Sequence, residues 1–312
     1  LTSAREQAKK EKNNAFQHAI KIIMNSMYGV LGSAGCRFHD TRLASSITLR
    51  GHRIMQQTAR FIENKGQKVI YGDTDSTFVY LKDCNNLQQA NEIGQQLALD
   101  INQYWADLLR QDFDLDCFLE IEFETAFSKF FMPTLRGQDT GSKKRYAGLT
   151  TTESGEKMVF KGLETVRSDW TELAQTFQKT LYQKIFAELP VEAYITDTIE
   201  QLKQGLLDDK LVYHKRLRRP LADYIKNIPP QVRAARLADQ QNAALGLPLR
   251  YQQRGRIGYL LTVNGPEPQE YCHSDIDYQQ YIDKQLKPIA EAILPVLGKD
   301  FNMITSDQMS LF

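Results

Sequence analysis

Asp73 and Asp75 stand on either side of one small residue in the run Tyr71-Gly72-Asp73-Thr74-Asp75-Ser76. Two carboxylates this close repel unless one is protonated, both face water, or a positive charge lies beside them. An all-oxygen pair suits a hard cation such as Mg²⁺, and phosphate chemistry is the common reason to hold that ion on two carboxylates. The flanks indicate how the pair is held. Lys68-Val69-Ile70 precedes it and Thr77-Phe78-Val79-Tyr80-Leu81 follows. Both are strand-like, and Gly72 beside an aspartate supplies turn chemistry, so the spacing predicts a β-hairpin with the aspartates at its tip.

Two other readings of these residues stay open at this point. Aspartate is common in turns because it bonds its own backbone, so the run fits a solvated Asp-rich turn. Asp73 to Thr77 also fits the D-x-D-x-T pattern of haloacid-dehalogenase-type phosphatases, in which the first aspartate is a nucleophile. That chemistry needs a downstream lysine and an acidic pair. Asp208-Asp209 is such a pair, but it falls within a helical pattern rather than after a strand.

The chain of 312 residues, 42% hydrophobic, is long enough for two domains with their own cores. No apolar run is long enough to span a bilayer, and Leu1 to Lys12 is charged rather than signal-like, so no membrane partner is expected. Cys36, Cys84, Cys117 and Cys272 are scattered without a C-x-x-C, which argues against a disulfide framework or a zinc site. A cytoplasmic setting fits. The chain starts at Leu1 inside a helical pattern and reads as a piece of something longer.

A net charge of +1 conceals a strong asymmetry. Lys82 to Phe127 carries ten Asp/Glu against two Lys/Arg, whereas Lys203 to Arg256 carries twelve Lys/Arg against four Asp. The basic stretch sets Lys215, Arg216, Arg218, Arg219, Arg233, Arg236, Arg250, Arg254 and Arg256 among Tyr213, Tyr224, Tyr251 and Tyr259. Cations interleaved with aromatics suit a polyanion such as a phosphate backbone.

The elements that must position these residues follow from periodicity. Ile20, Ile23, Met27 and Tyr28 predict a helix from Ala15 to Gly29, and Leu43, Ile47, Ile54, Thr58, Phe61 and Ile62 predict a second one ended by Gly66. Ile93 to Leu108 gives a third helix, and Leu119, Ile121 and Phe123 alternate with glutamates as in a half-buried strand. Past about Ser168 the pattern is mostly helical, interrupted by Pro229-Pro230 and by Gly265-Pro266-Glu267-Pro268.

Lys21, Asn25 and Tyr28 share one face of the first predicted helix, in K-x-x-x-N-S-x-Y-G. That run followed by Y-G-D-T-D-S, then by Lys143-Lys144-Arg145-Tyr146 and by Lys161-Gly162-Leu163-Glu164-Thr165-Val166-Arg167, closely resembles four motifs of family B DNA polymerases in the family's order. The likeness extends to Arg216-Leu217-Arg218-Arg219-Pro220-Leu221 and Val232-Arg233-Ala234-Ala235-Arg236-Leu237-Ala238, and so covers nearly the whole chain.

The resemblance implies an α/β (α+β) palm with an antiparallel sheet and packed helices, preceded by a fingers helix and followed by a mostly helical thumb. The corresponding spans are 1–29, 30–168 and 169–312. It implies DNA-directed DNA synthesis in a bacterial, nucleoid-associated monomer, with primer-template DNA and deoxynucleoside triphosphates as partners and two Mg²⁺ ions in the full enzyme. Asp73 and Asp75 would be the metal-holding catalytic carboxylates, with Glu124 and Glu164 in positions where the family keeps acidic residues near the metals. Lys21, Asn25 and Tyr28 would bind the nucleotide; Lys143, Lys144, Arg145, Tyr146, Arg216, Arg218, Arg219, Arg233 and Arg236 would bind DNA.

Two departures matter. The family's further palm aspartate, in a D-x-x-S-L-Y-P-S motif, has no counterpart here. Two carboxylates from one hairpin cannot clamp both ions, so the chain by itself is expected to polymerise little or not at all, or to act as a non-catalytic DNA- and clamp-binding module. At the other end, Gln308-Met309-Ser310-Leu311-Phe312 resembles a Q-x-x-L-F sliding-clamp peptide, in which Gln308, Leu311 and Phe312 would make the contact.

Overall fold

A computed structural model describes residues 1–73, 75–133, 144–152 and 155–306. The chain divides into two compact units, Leu1–Glu124 and Thr125–Phe312. The span expected for a palm, 30–168, runs across that division.

Unit 1 begins with α1 (Thr2–Lys10) and α2 (Asn14–Gly32), the latter started by the Asn13 side chain, which accepts from the Phe16 N–H. α3 (Thr41–Asn64) is capped in the same way by Asp40 and stops at Gly66, whose φ of +85° only glycine adopts freely. β1 (Lys68–Asp73) and β2 (Ser76–Tyr80) form the expected antiparallel hairpin. α4 (Leu87–Phe113) closes the set. Its Ile101 and Trp105 pack with Ile62 of α3, and Val69 and Val79 of the hairpin join them. Trp105 donates its indole N–H to Thr58 Oγ1 at 3.0 Å, so the polar edge of the ring is satisfied inside the core.

Leu119, Ile121 and Phe123 do alternate inward against exposed glutamates, but they are not part of a sheet. Asn102 on α4 takes the place of a neighbouring strand: its side-chain amide donates to the Ile121 carbonyl and accepts from the Ile121 N–H, both at 2.8 Å. The alternation is that of a half-buried extended segment whose backbone is satisfied by a side chain.

Unit 2 holds two three-stranded antiparallel sheets. The first orders β3 (Lys129–Phe131), β4 (Tyr146–Thr152) and β5 (Gly155–Lys161) side by side. α5 (Glu172–Phe186) and α6 (Glu192–Lys203) follow, presenting Leu173, Phe177, Leu181, Ile195 and Leu202 to one core. The second sheet orders β6 (Tyr213–Leu217), β7 (Gly255–Thr262) and β8 (Gly265–Pro268), with α7 (Pro230–Ala244) packed on it. This sheet stands within the part expected to be mostly helical.

Tyr281 ties the sheet to the last helices. Its ring is fully buried, and its hydroxyl donates to the Leu211 carbonyl at 3.0 Å while accepting from the Leu261 N–H at 2.9 Å. It ends α8 (Tyr278–Tyr281), which runs through a widened π-helical turn, Ile282–Leu286, into α9 (Lys287–Glu291); α10 (Phe301–Thr305) comes last. Pro288 explains the widened turn, because it has no N–H and its ring would clash with the carbonyl four residues back.

Candidate active site and nucleic-acid interface

The tip of the hairpin is shaped by a bulge. Val69 pairs with Val79 but Tyr71 pairs with Phe78, so Ile70 is an extra residue and the strand bends toward its end. Past the bulge, Gly72 pairs with Thr77 and Asp73 with Ser76. Asp73 is half-buried at the end of β1 and Asp75 is exposed in the turn. Among the described residues, Asp75 Oδ1 receives a long hydrogen bond, 3.5 Å, from the Ser76 hydroxyl. Aspartates on one short turn make an all-oxygen donor set suited to a hard cation. Among the described residues no cluster of three or more metal-ligating side chains forms.

Lys21, Asn25 and Tyr28 are all exposed on α2. Tyr28 is held by a hydrogen bond of 2.9 Å between its hydroxyl and Thr48 Oγ1 of α3. α3 packs against both α2 and β1, and so serves as the common support for this face and for the hairpin. Glu124 is exposed at the end of unit 1.

In unit 2 the structure brings two sequence motifs together. Lys144-Arg145-Tyr146 enters β4, and Lys161-Gly162-Leu163-Glu164 leaves β5, with Tyr146 paired to Lys161. Arg145 forms an ion pair with Glu164. Glu164 is buried, and its second oxygen accepts from Gln178 Nε2 of α5 at 2.7 Å. Tyr146 lies outside this pair, with its ring 5.3 Å from that of Phe130. At the end of the second motif, Arg167 holds Asp169 with two bonds of 3.0 and 2.9 Å, and Lys215 reaches the same carboxylate at 3.2 Å. The Arg167 bonds come first, and with Lys215 they hold the Asp169 carboxyl down at about 2. Lys143, Gln308, Leu311 and Phe312 lie outside the described residues.

The basic stretch folds into the second sheet and α7. Arg216, Arg218, Arg233, Arg254 and Arg256 are exposed and make no ion pair among the described residues. Arg216 and Arg256 stand directly opposite one another on β6 and β7, an arrangement of like charges that calls for an anion. Beside them lies a concavity of about 710 Å³ bordered by His214, Arg250, Arg256 and Gln269. Arg219 stacks over the Tyr224 ring at 5.0 Å. Arg236 differs from the rest: its guanidinium turns back to the carbonyls of Leu221 and Tyr224, at 3.1 and 2.8 Å, and secures the turn that precedes α7.

Two residues gave no signal in the sequence. Gln178 reads as one polar position of an amphipathic helix, and Asp239 as one of four aspartates in a basic run. Asp239 is in fact buried and accepts from the N–H groups of Arg250 and Tyr251, at 2.7 and 3.2 Å, and from the Gln252 amide at 2.8 Å. It fixes the loop that leads the arginines into β7.

The hairpin with its aspartates, the helix with Lys21, Asn25 and Tyr28, and the exposed arginines belong to a chain that is a member of DNA polymerase family B, whose model matches residues 1–295. Among individual members, it is 54% identical over 308 residues to DNA polymerase II of Escherichia coli (strain K12), a match covering 99% of this chain and 39% of that polymerase. It is 30% identical over 297 residues to the DNA polymerase of Thermococcus gorgonarius, covering 90% of this chain and 34% of that one. With the DNA polymerase alpha catalytic subunit of Xenopus laevis the identity is 27% over 315 residues, 92% and 20% of the two chains. The chain thus spans about two-fifths or less of the length of these relatives.

Proposed function

We propose that this chain is part of a DNA-directed DNA polymerase that joins a deoxynucleoside triphosphate to a primer 3′-hydroxyl, with pyrophosphate leaving. The observation that carries the reading is the Y-G-D-T-D-S hairpin itself, with Asp75 exposed at its tip in a chain of this family. Asp73 and Asp75 would hold Mg²⁺, two ions in the full enzyme. The metal supplies charge neutralisation at the phosphates and acidifies the primer hydroxyl. Lys21 offers a cation to the triphosphate, Asn25 hydrogen-bonds beside it, and Tyr28, tethered to Thr48, packs on the new base pair.

α2 is read as fingers, the hairpin as palm, and α5 to α10 as thumb, with the exposed arginines set on the DNA backbone. By themselves the 312 residues carry the carboxylates of one hairpin, and we expect them to bind DNA while polymerising little or not at all. Membership of the family removes the D-x-D-x-T phosphatase reading, and Asp208-Asp209 lies in a short 3₁₀ turn, Asp208–Lys210. The setting is the bacterial nucleoid and the protein a monomer; among the described residues no helix is long and apolar enough to cross a membrane. The Q-x-x-L-F tail is proposed to dock on a sliding clamp, so deleting the last five residues should abolish clamp binding and spare single-nucleotide insertion.

The test is Asp75→Ala in the complete polymerase. Mg²⁺-dependent primer extension should disappear while the circular dichroism spectrum and melting temperature stay as they were. Extension retained in that variant refutes the assignment.

A further inference from the structure

The two described cations of the Lys144-Arg145-Tyr146 run are not presented alike. Arg145 is half-buried where the run leads to fully buried Ala147, whereas Lys144, in a turn just before β4, is exposed. The Arg145 guanidinium is turned inward onto Glu164, and its Nε is buried too. Glu164 is fully employed: one oxygen takes Arg145, the other takes Gln178 Nε2 at 2.7 Å. Gln178 is itself locked, since its Oε1 accepts from both the N–H and the hydroxyl of Thr165 at 2.7 Å each.

The backbone is matched to this arrangement. Lys144 is held at φ +63° and Gly162 at +62°, and a Cβ on Gly162 would lie 2.1 Å from the Lys144 carbonyl oxygen. A lysine in the left-handed region is strained unless its surroundings fix it. The close approach of Gly162 and the pull of Glu164 on Arg145 fix it from two sides.

We infer that Glu164, seated on Gln178, is a positioning residue that holds Arg145 inward and thereby aims Lys144 at the nucleic-acid backbone; neither Glu164 nor Arg145 touches metal or phosphate. The identity of the polyanion rests on the polymerase reading above. The remainder, a division of labour within one basic run, rests on the geometry of unit 2 alone.

Salt dependence separates the roles, because each lost phosphate contact removes about 0.9 from the slope of log K against log salt on duplex DNA. Primer-template affinity of the 312-residue chain is measured by fluorescence anisotropy across a salt series, and Mg²⁺ titrations of extension are run on the complete polymerase. Lys144→Ala should lower the slope by about 0.9. Arg145→Met should weaken binding about fivefold at every salt concentration with the slope unchanged, a loss of about 1 kcal/mol.

Glu164→Gln, nearly isosteric and so safe for folding, should weaken binding severalfold and leave the Mg²⁺ concentration for half-maximal extension where it is. The Arg145→Met/Glu164→Gln pair should be no weaker than either single change, as expected for two residues acting as a unit. A slope lowered by Arg145→Met as much as by Lys144→Ala overturns the inference. So does a Mg²⁺ requirement raised by Glu164→Gln and relieved by Mn²⁺, or a Glu164→Gln chain with unaltered affinity. A parent chain whose DNA affinity ignores salt overturns the polymerase reading and this inference with it, whereas the variant comparisons bear on the inference alone.

Discussion

Replacing Asp239 by alanine probes the loop that delivers the arginines, and its cost can be worked from the contacts. The carboxylate is 4% exposed and accepts from two backbone N–H groups, those of Arg250 and Tyr251, and from the Gln252 amide. Gln252 is exposed and can turn to water when its acceptor goes. The two backbone donors cannot follow it. A hydrogen bond to a charged group contributes about 1.5–3 kcal/mol, and removing the buried charge returns part of that, so the net loss should be about 3 kcal/mol.

Asp239→Asn keeps one acceptor oxygen and should cost about 1–2 kcal/mol. The chain has two tryptophans, Trp105 in unit 1 and Trp170 in unit 2. In a Trp105→Phe background, fluorescence during urea unfolding therefore reports on unit 2. The urea midpoint should be highest for the parent, lower for Asp239→Asn and lowest for Asp239→Ala. DNA affinity should fall with it as Arg250 and Arg254 lose their fixed approach to β7. An Asp239→Ala midpoint equal to that of the parent would falsify the reasoning, since three donors would then have lost their acceptor without consequence.

Phe177→Ala should destabilise unit 2 by about 3–5 kcal/mol, because the ring is 1% exposed and stacks on Tyr194 at 5.6 Å; urea unfolding checks it. Acid should weaken the same unit. Burial pushes the Glu267 carboxyl up, but hydrogen bonds from the Ser274 hydroxyl and from the N–H groups of His273 and Ser274 outweigh it and bring it to about 2. Asp169 is held similarly low by Arg167 and Lys215. A carboxylate depressed in the fold stabilises above its ordinary value and loses that contribution as pH falls through the folded one. The melting temperature should therefore hold above about pH 5 and drop between about pH 4 and 2. Glu267→Gln should be less stable at pH 7 and show a shallower acid limb, and a limb as steep as the parent's counts against this account. In the complete polymerase, Lys21→Ala should raise the KM for nucleotide about tenfold, the effect of losing one charge-assisted bond of about 1.4 kcal/mol. An unchanged KM removes Lys21 from the nucleotide site.

The hairpin, α2, α3 and α4 were legible because each signal is local: Gly72 beside an aspartate, apolar residues at helical spacing, Gly66 as a stop. Leu119 to Phe123 misled because alternation reports a half-buried extended chain and not what pairs with it; the partner is the Asn102 side chain, on a helix 19 residues before Ile121. β6 was hidden for the opposite reason. In Tyr213-His214-Lys215-Arg216-Leu217 the inward position 215 is a lysine whose stem is covered while its ammonium reaches Asp169, so charge masks the strand pattern. Arg236 shows the same limit in the site. Its neighbours in sequence mark it as one more cation for a polyanion, and only the tertiary fold reveals the carbonyls of Leu221 and Tyr224 that occupy it.

Where this protein can change length is written into the run from Tyr278 to Glu291. The wide turn at Ile282–Leu286 stores one residue beyond what ordinary helical pitch would use over the same rise. Dropping exposed Lys284 together with Pro288→Ala would let the ladder close at regular pitch while Tyr281, Ile289 and Ala290 keep facing the core. The same deletion made at Ile289 would swing every later side chain by about 100°. With Pro288 replaced, loss of one residue is thus absorbed at one spot and ruinous a few residues further on.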